Sequence, residues 1–318
     1  MTRSPQRRPD ALIVAGPTAS GKSAFALAIA ERLGGTLINA DSMQLYRDLA
    51  VLTARPDAAA LARAPHRLFG SLDAADACSV GRWLTLAETE IAGTIASGRL
   101  PVLVGGTGLY FRALTVGLAA IPPVPAAIRD DLADRMRRDG APAMHARLAE
   151  VDPATAARLA PRDGQRILRA LAVEKATGRP LSAWLAASGA APRYRYAAYL
   201  LDPPRAELYA ACDARLAAMM AAGAIEEARA LLARKLDPAL PAMKAIGVAE
   251  IGRYLAGSES LAATVAATQQ ATRRYAKRQI TWFRHQMPEA TRLPIDLQIE
   301  KYSERFFPEI FSKFSVSG

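Results

Sequence analysis

Cysteine and histidine are nearly absent from this sequence: two cysteines, Cys78 and Cys212, and three histidines, His66, His145 and His285, in 318 residues. None falls at metal-ligand spacing. A zinc centre and a disulfide framework are therefore both excluded, and the thiols suit a reducing compartment. No apolar run approaches the roughly 20 residues of a membrane span. The basic opening MTRSPQRRPD has no hydrophobic segment of signal-peptide type behind it. The expectation is a cytoplasmic protein with no membrane partner. Acidic residues are also in deficit, 30 Asp and Glu against 41 Lys and Arg, for a net charge of +11. That excess favours a polyanionic partner, most simply a nucleic acid. Half of the residues are apolar, 51%, enough for a sizeable core in one large domain or two smaller ones.

What is present starts with GPTASGKS at residues 16–23. The spacing is that of a phosphate-binding P-loop, with ALIVA (11–15) as the buried strand before it and KSAFALAIAERL (22–33) as the helix after it. Gly16 and Gly21 allow the tight turn that aims backbone N–H groups at an anion, and the helix N-terminus adds partial positive charge. Pro17, Thr18, Ala19 and Ser20 complete the loop. Lys22 reaches the outer phosphate, and Ser23 is the candidate ligand for Mg²⁺. The motif specifies a polyphosphate without specifying which one.

The rest of the chain reads as α/β. TLINA (36–40) is a second strand ending at DSMQLY, so Asp41 stands just past a strand end, where ligands gather in open parallel sheets. Residues 80–97 read as a helix, and LPVLVGGTGLYFRAL (100–114) as strand, glycine turn and helix start. Pro122, Pro123 and Pro125 then stiffen a connector. A wholly helical, Arg-rich module follows, and RYAAYLLD (195–202) returns to the sheet. Helices are expected over about 204–235, 243–255 and 259–286. The expected organisation is a core of 10–120 and 195–288, a helical insert at 121–194, and a divergent, loosely held tail at 289–318.

Three constellations carry chemistry. Asp41, beside a bound polyphosphate, suits a general base or an outer magnesium ligand; DSMQ also suits a helix capping box. GGTGLY (105–110) puts Gly105 and Gly106 where many P-loop ATPases carry a metal-binding Asp, which argues against ATP hydrolysis and lets a ligand approach the backbone. Thr107 there is a candidate hydrogen-bonding group. QRILRA (165–170) and TRRYAKRQITWFRHQ (272–286) are basic stretches suited to phosphates and bases, with Trp282 and Phe283 expected in the core.

Taken in order, GPTASGKS, DSMQLYRD, SVGRW, PVLVGGTGLYFRAL, VDPATAARLAPRDGQRILRALAVEKATGRPLS and RRYAKRQITWFR resemble the bacterial tRNA dimethylallyltransferase family, over about residues 10–287. The resemblance implies a P-loop NTPase-like parallel sheet with an inserted helical tRNA-binding domain. It implies transfer of a prenyl group from dimethylallyl diphosphate to N6 of adenosine 37, in tRNAs reading codons that begin with U, with Mg²⁺ as cofactor. On that basis the loop holds the donor diphosphate, and Arg215 adds a clamp. Asp41 takes the N6 proton and Thr107 contacts the target nucleotide. The anticodon stem-loop is gripped by Asp41, Ser42, Met43 and Gln44, by Arg129, and by Gln165, Arg166, Ile167, Leu168 and Arg169. Lys244, Ala245, Ile246, Gly247, Val248 and Ala249 complete that set. A monomer is expected. The chain departs from the family pattern at Arg55, in place of a Lys, at Arg67, in place of a His, and at Val248, in place of a Tyr. The alternative is a P-loop kinase of a small metabolite, which needs neither a tRNA-sized basic surface nor GGTGLY after the third strand.

Overall fold

The apolar run Ala11–Ala15 forms strand β1, buried on both faces at the middle of a six-stranded sheet, in a computed structural model that describes residues 8–187, 192–294 and 299–314. Such unbroken apolar strands belong to parallel sheets covered on both sides. In chain order come helix α1 (Lys22–Leu33), β2 (Gly35–Asn39), α2 (Ala58–Arg63), β3 (His66–Arg67), α3 (Val80–Ala96), β4 (Leu100–Gly105) and α4 (Gly108–Val116). Helices α5 (Ala126–Val151), α6 (Pro153–Ala156), α7 (Gly164–Thr177) and α8 (Leu181–Ala186) follow. The chain returns through β5 (Tyr196–Leu201), α9 (Arg205–Ala221), α10 (Ala224–Ala233), α11 (Val248–Leu255), α12 (Leu261–Gln286), β6 (Thr291–Leu293) and α13 (Ile299–Phe314). The strand order is β3-β2-β4-β1-β5-β6, and every pairing is parallel. The fold is P-loop NTPase-like.

The chain parts into two compact units. One comprises the residues up to 115 and from 192 onward and holds the sheet; the other is 116–191 and is wholly helical. The helical unit has its own core, including Leu132, Met144, Leu148, Ile167 and Val173. Buried Asp152 organises it: the carboxylate accepts from Thr155 N (3.0 Å), Thr155 Oγ1 (2.7 Å) and Ser182 N (3.0 Å), which caps α6 and ties down the start of α8. Although burial pushes the Asp152 carboxyl up, these bonds outweigh it and hold its pKa below the ordinary range. Among the described residues no single helix is long and apolar enough to cross a membrane.

Two expectations are corrected here. The helix expected over 204–235 is broken at Gly223, whose φ of 100° admits few other residues, and α9 and α10 diverge by 68°. The tail, expected to be loosely held, is built into the sheet-bearing unit. Strand β6 pairs with β5, and Phe307, Ile310 and Phe314 of α13 are buried in the same cluster as Leu12, Val14 and Phe25. The Phe307 and Phe25 ring centroids lie 5.5 Å apart, and the Arg32 guanidinium lies 4.5 Å from the Phe307 centroid. Replacing Phe307 by alanine is expected to destabilise this unit by about 3–5 kcal/mol. Chemical denaturation checks this; an unchanged midpoint would restore the loose tail.

Candidate active site

Strands β1, β2 and β4 run in one direction, with Ala15 level with Gly105 and Asn39 level with Val104. The P-loop, the segment after β2 and the glycine turn after β4 therefore leave the sheet along one edge. In the P-loop, a Cβ on Gly16 would stand 2.7 Å from Ser20 Oγ and 3.2 Å from the Leu201 carbonyl oxygen, so a side chain there would displace Ser20. Ala19 (φ 61°) and Gly21 (φ 80°) are left-handed and turn the backbone around the anion position ahead of α1. Ser20 Oγ is buried without a hydrogen-bond partner. Lys22 is buried and donates from Nζ to the Pro17 carbonyl (3.2 Å). Burial pushes its pKa down from 10.5 to about 8, partly offset by the negative charge of Asp41.

Asp41 is held by an Asx turn, not a helix cap. Its Oδ1 accepts from Met43 N (3.0 Å), and no helix follows before α2. Buried Asn39 fixes the backbone there. Its side chain accepts from Asp41 N (2.8 Å) and donates to the Asp41 carbonyl (2.9 Å), while Trp83 Nε1 donates to the Asn39 carbonyl (3.0 Å). Thr107 locks onto the same segment: its N–H donates to the Ala40 carbonyl (3.2 Å) and its Oγ1 accepts from Ser42 N (2.9 Å). The two glycines before Thr107 serve the protein's own packing, which corrects the expectation that they admit a ligand. A Cβ on Gly105 would fall 2.1 Å from the Ala40 carbonyl carbon, and one on Gly106 would fall 2.2 Å from Gln279 Nε2.

The segment beyond Asp41 is tied down by Glu227, which accepts from Ala50 N (2.6 Å), Val51 N (2.8 Å) and Leu52 N (2.8 Å). The carbonyl of Thr53 then accepts from Gln44 Nε2 (2.8 Å) and from Arg215 Nη2 (3.2 Å). Burial lowers the Arg215 pKa, partly offset by Asp41. These parts surround one cavity of about 250 Å³. Thr18, Ala19, Asp41, Ser42, Met43, Arg215, Lys244, Ala245 and Ile246 line it, with Leu52, Cys212, Leu216, Met219, Thr272, Tyr275 and Arg278. The arrangement offers an anion cradle, a carboxylate and an apolar wall in one space. That combination suits an amphipathic ligand with a polyphosphate head.

Several predicted contact residues are placed otherwise. Gln44 is buried and spends its amide on the Thr53 and Ala54 carbonyls. Val248 and Ala245 belong to the core. The φ of Gly247 is +99°, and a Cβ there would stand 2.8 Å from Leu52 Cδ2. Ile167 is fully buried and Leu168 packs on the same helical core. The side chains of Gln44, Ile167 and Val248 therefore shape a surface without presenting themselves to a partner. Gln165, Arg166 and Arg169 are exposed on α7, as are Arg129 on α5 and, in the other unit, Lys244 and Ala249. The departure at Val248 is a core position, so no stacking contact arises there. Arg55 donates to the Tyr46 carbonyl (3.1 Å), and Arg67 pairs with Glu90 (3.6 Å). Trp282 and Phe283 pack on the core as expected, and Arg273 is committed to Asp213 (2.7 Å).

Ser23 is exposed in the first turn of α1, and among the described residues no group of three His, Cys, Asp or Glu gathers. The Ser23 hydroxyl, an oxygen donor, fits Mg²⁺, which keeps much of its water and is held mainly by phosphate oxygens. It does not fit zinc.

Comparison with known proteins gives the family and the fold. The chain matches the IPP transferase family over residues 44–286 and the isopentenyl transferase family over residues 9–69. It is 59% identical over 284 residues to the tRNA dimethylallyltransferase of Phenylobacterium zucineum, covering 89% of this chain and 92% of that one. The crystal structure of the full-length tRNA isopentenylpyrophosphate transferase from Bacillus halodurans is similar with a TM-score of 0.66 and 32% identity, covering 96% of this chain and 98% of that one. A eukaryotic dimethylallyltransferase captured acting on tRNA shares the fold, with a TM-score of 0.83 at 22% identity, over 97% of this chain and 81% of that one.

Proposed function

The chain belongs to the tRNA dimethylallyltransferase family, and from that premise we propose that it moves the dimethylallyl group of dimethylallyl diphosphate onto N6 of adenosine 37 in tRNAs reading codons that begin with U. The observation that carries this reading is the meeting of the P-loop, Asp41 and an apolar wall in one cavity, with glycines in place of an acidic β4 end. A kinase reading finds no support there.

The donor's allylic C–O bond breaks, its electron pair staying on the diphosphate. The adenine N6 lone pair forms the new C–N bond, and N6 gives up a proton. Charge therefore develops at both ends of the transfer. The loop N–H groups, Lys22 and Arg215 stabilise the departing diphosphate. Mg²⁺, held at Ser23, would neutralise part of that charge when bound. Asp41, fixed by Asn39 and the Met43 N–H, accepts the N6 proton. Thr107 orients the segment that carries it. The adenosine reaches the site by leaving its stack. Exposed Arg129, Gln165, Arg166 and Arg169 of the helical unit supply contacts to the anticodon stem-loop. The protein acts as a cytoplasmic monomer.

The test is incubation with Mg²⁺, unmodified tRNA and either dimethylallyl diphosphate or ATP, followed by nucleoside mass spectrometry. One dimethylallyl group gained on adenosine, with the diphosphate donor only, is the expected result. ATP consumption without that gain would overturn the proposal.

Lys22 also predicts a pH dependence. Above about pH 8 the free enzyme loses this charge, so kcat/KM for the donor should fall as pH rises through that value. The sign for stability is opposite. The unfolded chain holds the proton up to 10.5 and the folded one only to about 8, so this group's contribution improves between those values and is least favourable below them. A donor kcat/KM profile flat across pH 8 would contradict the assignment.

A further inference from the structure

Gln279 is a buried amide, 5% exposed, with both ends engaged on different loops. Its Oε1 accepts from Thr18 N (2.8 Å) and its Nε2 donates to the Gly106 carbonyl (2.9 Å). The amide orientation is unambiguous, because an N–H requires an acceptor and a carbonyl requires a donor. Thr18 belongs to the P-loop. Gly106 directly precedes Thr107, which is bonded to Ala40 and Ser42 on either side of Asp41. A single side chain thus joins the phosphate-holding loop to the segment that carries the candidate base. The glycines of the turn accommodate this helix: a Cβ on Gly106 would collide with Gln279 Nε2, and one on Gly108 would fall 2.1 Å from the ring of Trp282, three residues further along α12.

We propose that Gln279 is a positioning residue for prenyl transfer, setting the separation between the donor diphosphate and Asp41 so that the allylic carbon and the N6 amine meet in line. This rests on the transferase reading above. In a two-substrate transfer, a displacement of about 1 Å between reacting groups costs on the order of 10²-fold in rate. Gln279 holds both partners' loops through hydrogen bonds that only a group with one donor and one acceptor can make.

That requirement gives a distinctive test, Gln279→Glu assayed across pH beside the wild type. The ionised carboxylate has two acceptors, one of them facing the Gly106 carbonyl. The protonated acid has one O–H donor and one acceptor and reproduces the amide pattern. At pH 8 the kcat of the variant should be down about 10²-fold, with KM for tRNA unchanged. The ratio of variant to wild-type kcat should climb as pH falls, starting above the ordinary carboxylate range because the site is buried. The charged and titratable groups around the site are Lys22 on α1, Asp41 after β2, Cys212 and Arg215 on α9, and Tyr275 and Arg278 on α12. The ratio removes what they contribute equally to both proteins, and a new carboxylate that holds the Lys22 proton to higher pH would raise the ratio on the alkaline side, opposite to the expected climb. A ratio independent of pH, whether high or low, overturns the proposal, since a merely structural defect would not be repaired by acid. Should Gln279→Glu fail to fold, Gln279→Met and Gly106→Ala disturb the same bridge from its two ends. Each should lower kcat while leaving KM for tRNA unchanged; kcat within about twofold of wild type in both overturns the proposal. A wild type without prenyl transfer would instead sink the transferase reading.

Discussion

Asp41→Asn should cut turnover by about 10²- to 10⁴-fold, the usual contribution of a positioned general base, while tRNA binding stays close to normal. Asparagine keeps an oxygen able to accept from Met43 N and leaves the hydrogen bonds of the Asp41 backbone to Asn39 untouched. The turn should survive, so the loss should report the missing carboxylate, both as base and as the negative charge that helps hold the proton on Lys22. The informative comparison is kcat under saturating tRNA against the dissociation constant of the tRNA complex. Near-normal kcat would remove Asp41 from proton transfer. Equal losses in kcat and tRNA affinity would make it an anchor for the RNA.

The second large effect is expected at Lys22. Lys22→Met keeps the buried stem and removes the charge that the proposed mechanism assigns to the donor diphosphate. Donor kcat/KM should fall by about 10²- to 10³-fold, as for other preorganised groups aimed at developing negative charge. Affinity for tRNA should not follow. Thermal stability of the donor-free protein should hold or rise, because the folded state already disfavours the charge at this buried position. Steady-state kinetics with varied donor, paired with a melting curve, separate these outcomes. A melting point that collapses together with activity would mean that the Nζ bond to the Pro17 carbonyl holds the loop in shape.

How the sequence relates to these sites differs residue by residue. The P-loop was legible because its demands are local: Gly16, Gly21 and Lys22 act within eight consecutive positions. Asp41 and Thr107 were legible because both follow apolar runs that read as strands. Gln44, Ile167 and Val248 sit in motifs that suit RNA contacts, yet each points inward. For Ile167 the signal existed: it falls on the apolar stripe with Ala170, Leu171 and Val173. Gln279 was missed inside a basic stretch, although it shares a face with buried Ala276 and Phe283. Glu227 left no signal, since an exposed-looking glutamate in a helix is ordinary until three N–H groups arrive from residues 50–52. The tail's change in composition mimics loss of order, whereas its Phe307, Ile310 and Phe314 are core residues.

By itself, then, the sequence determined the parallel α/β core, the phosphate loop, the helical insert and the family. Each of these rests on short-range rules of glycine geometry, strand and helix periodicity, and motif order. Tertiary structure alone decided that Thr18 and Gly106 share one amide, that Glu227 braces the segment beyond Asp41, and that Phe307 belongs to the core. Those pairings join residues far apart in the chain, 261 positions for Thr18 and Gln279. They exist only because α12 packs across the carboxyl edge of the sheet, where a buried N–H and a buried carbonyl must both find partners.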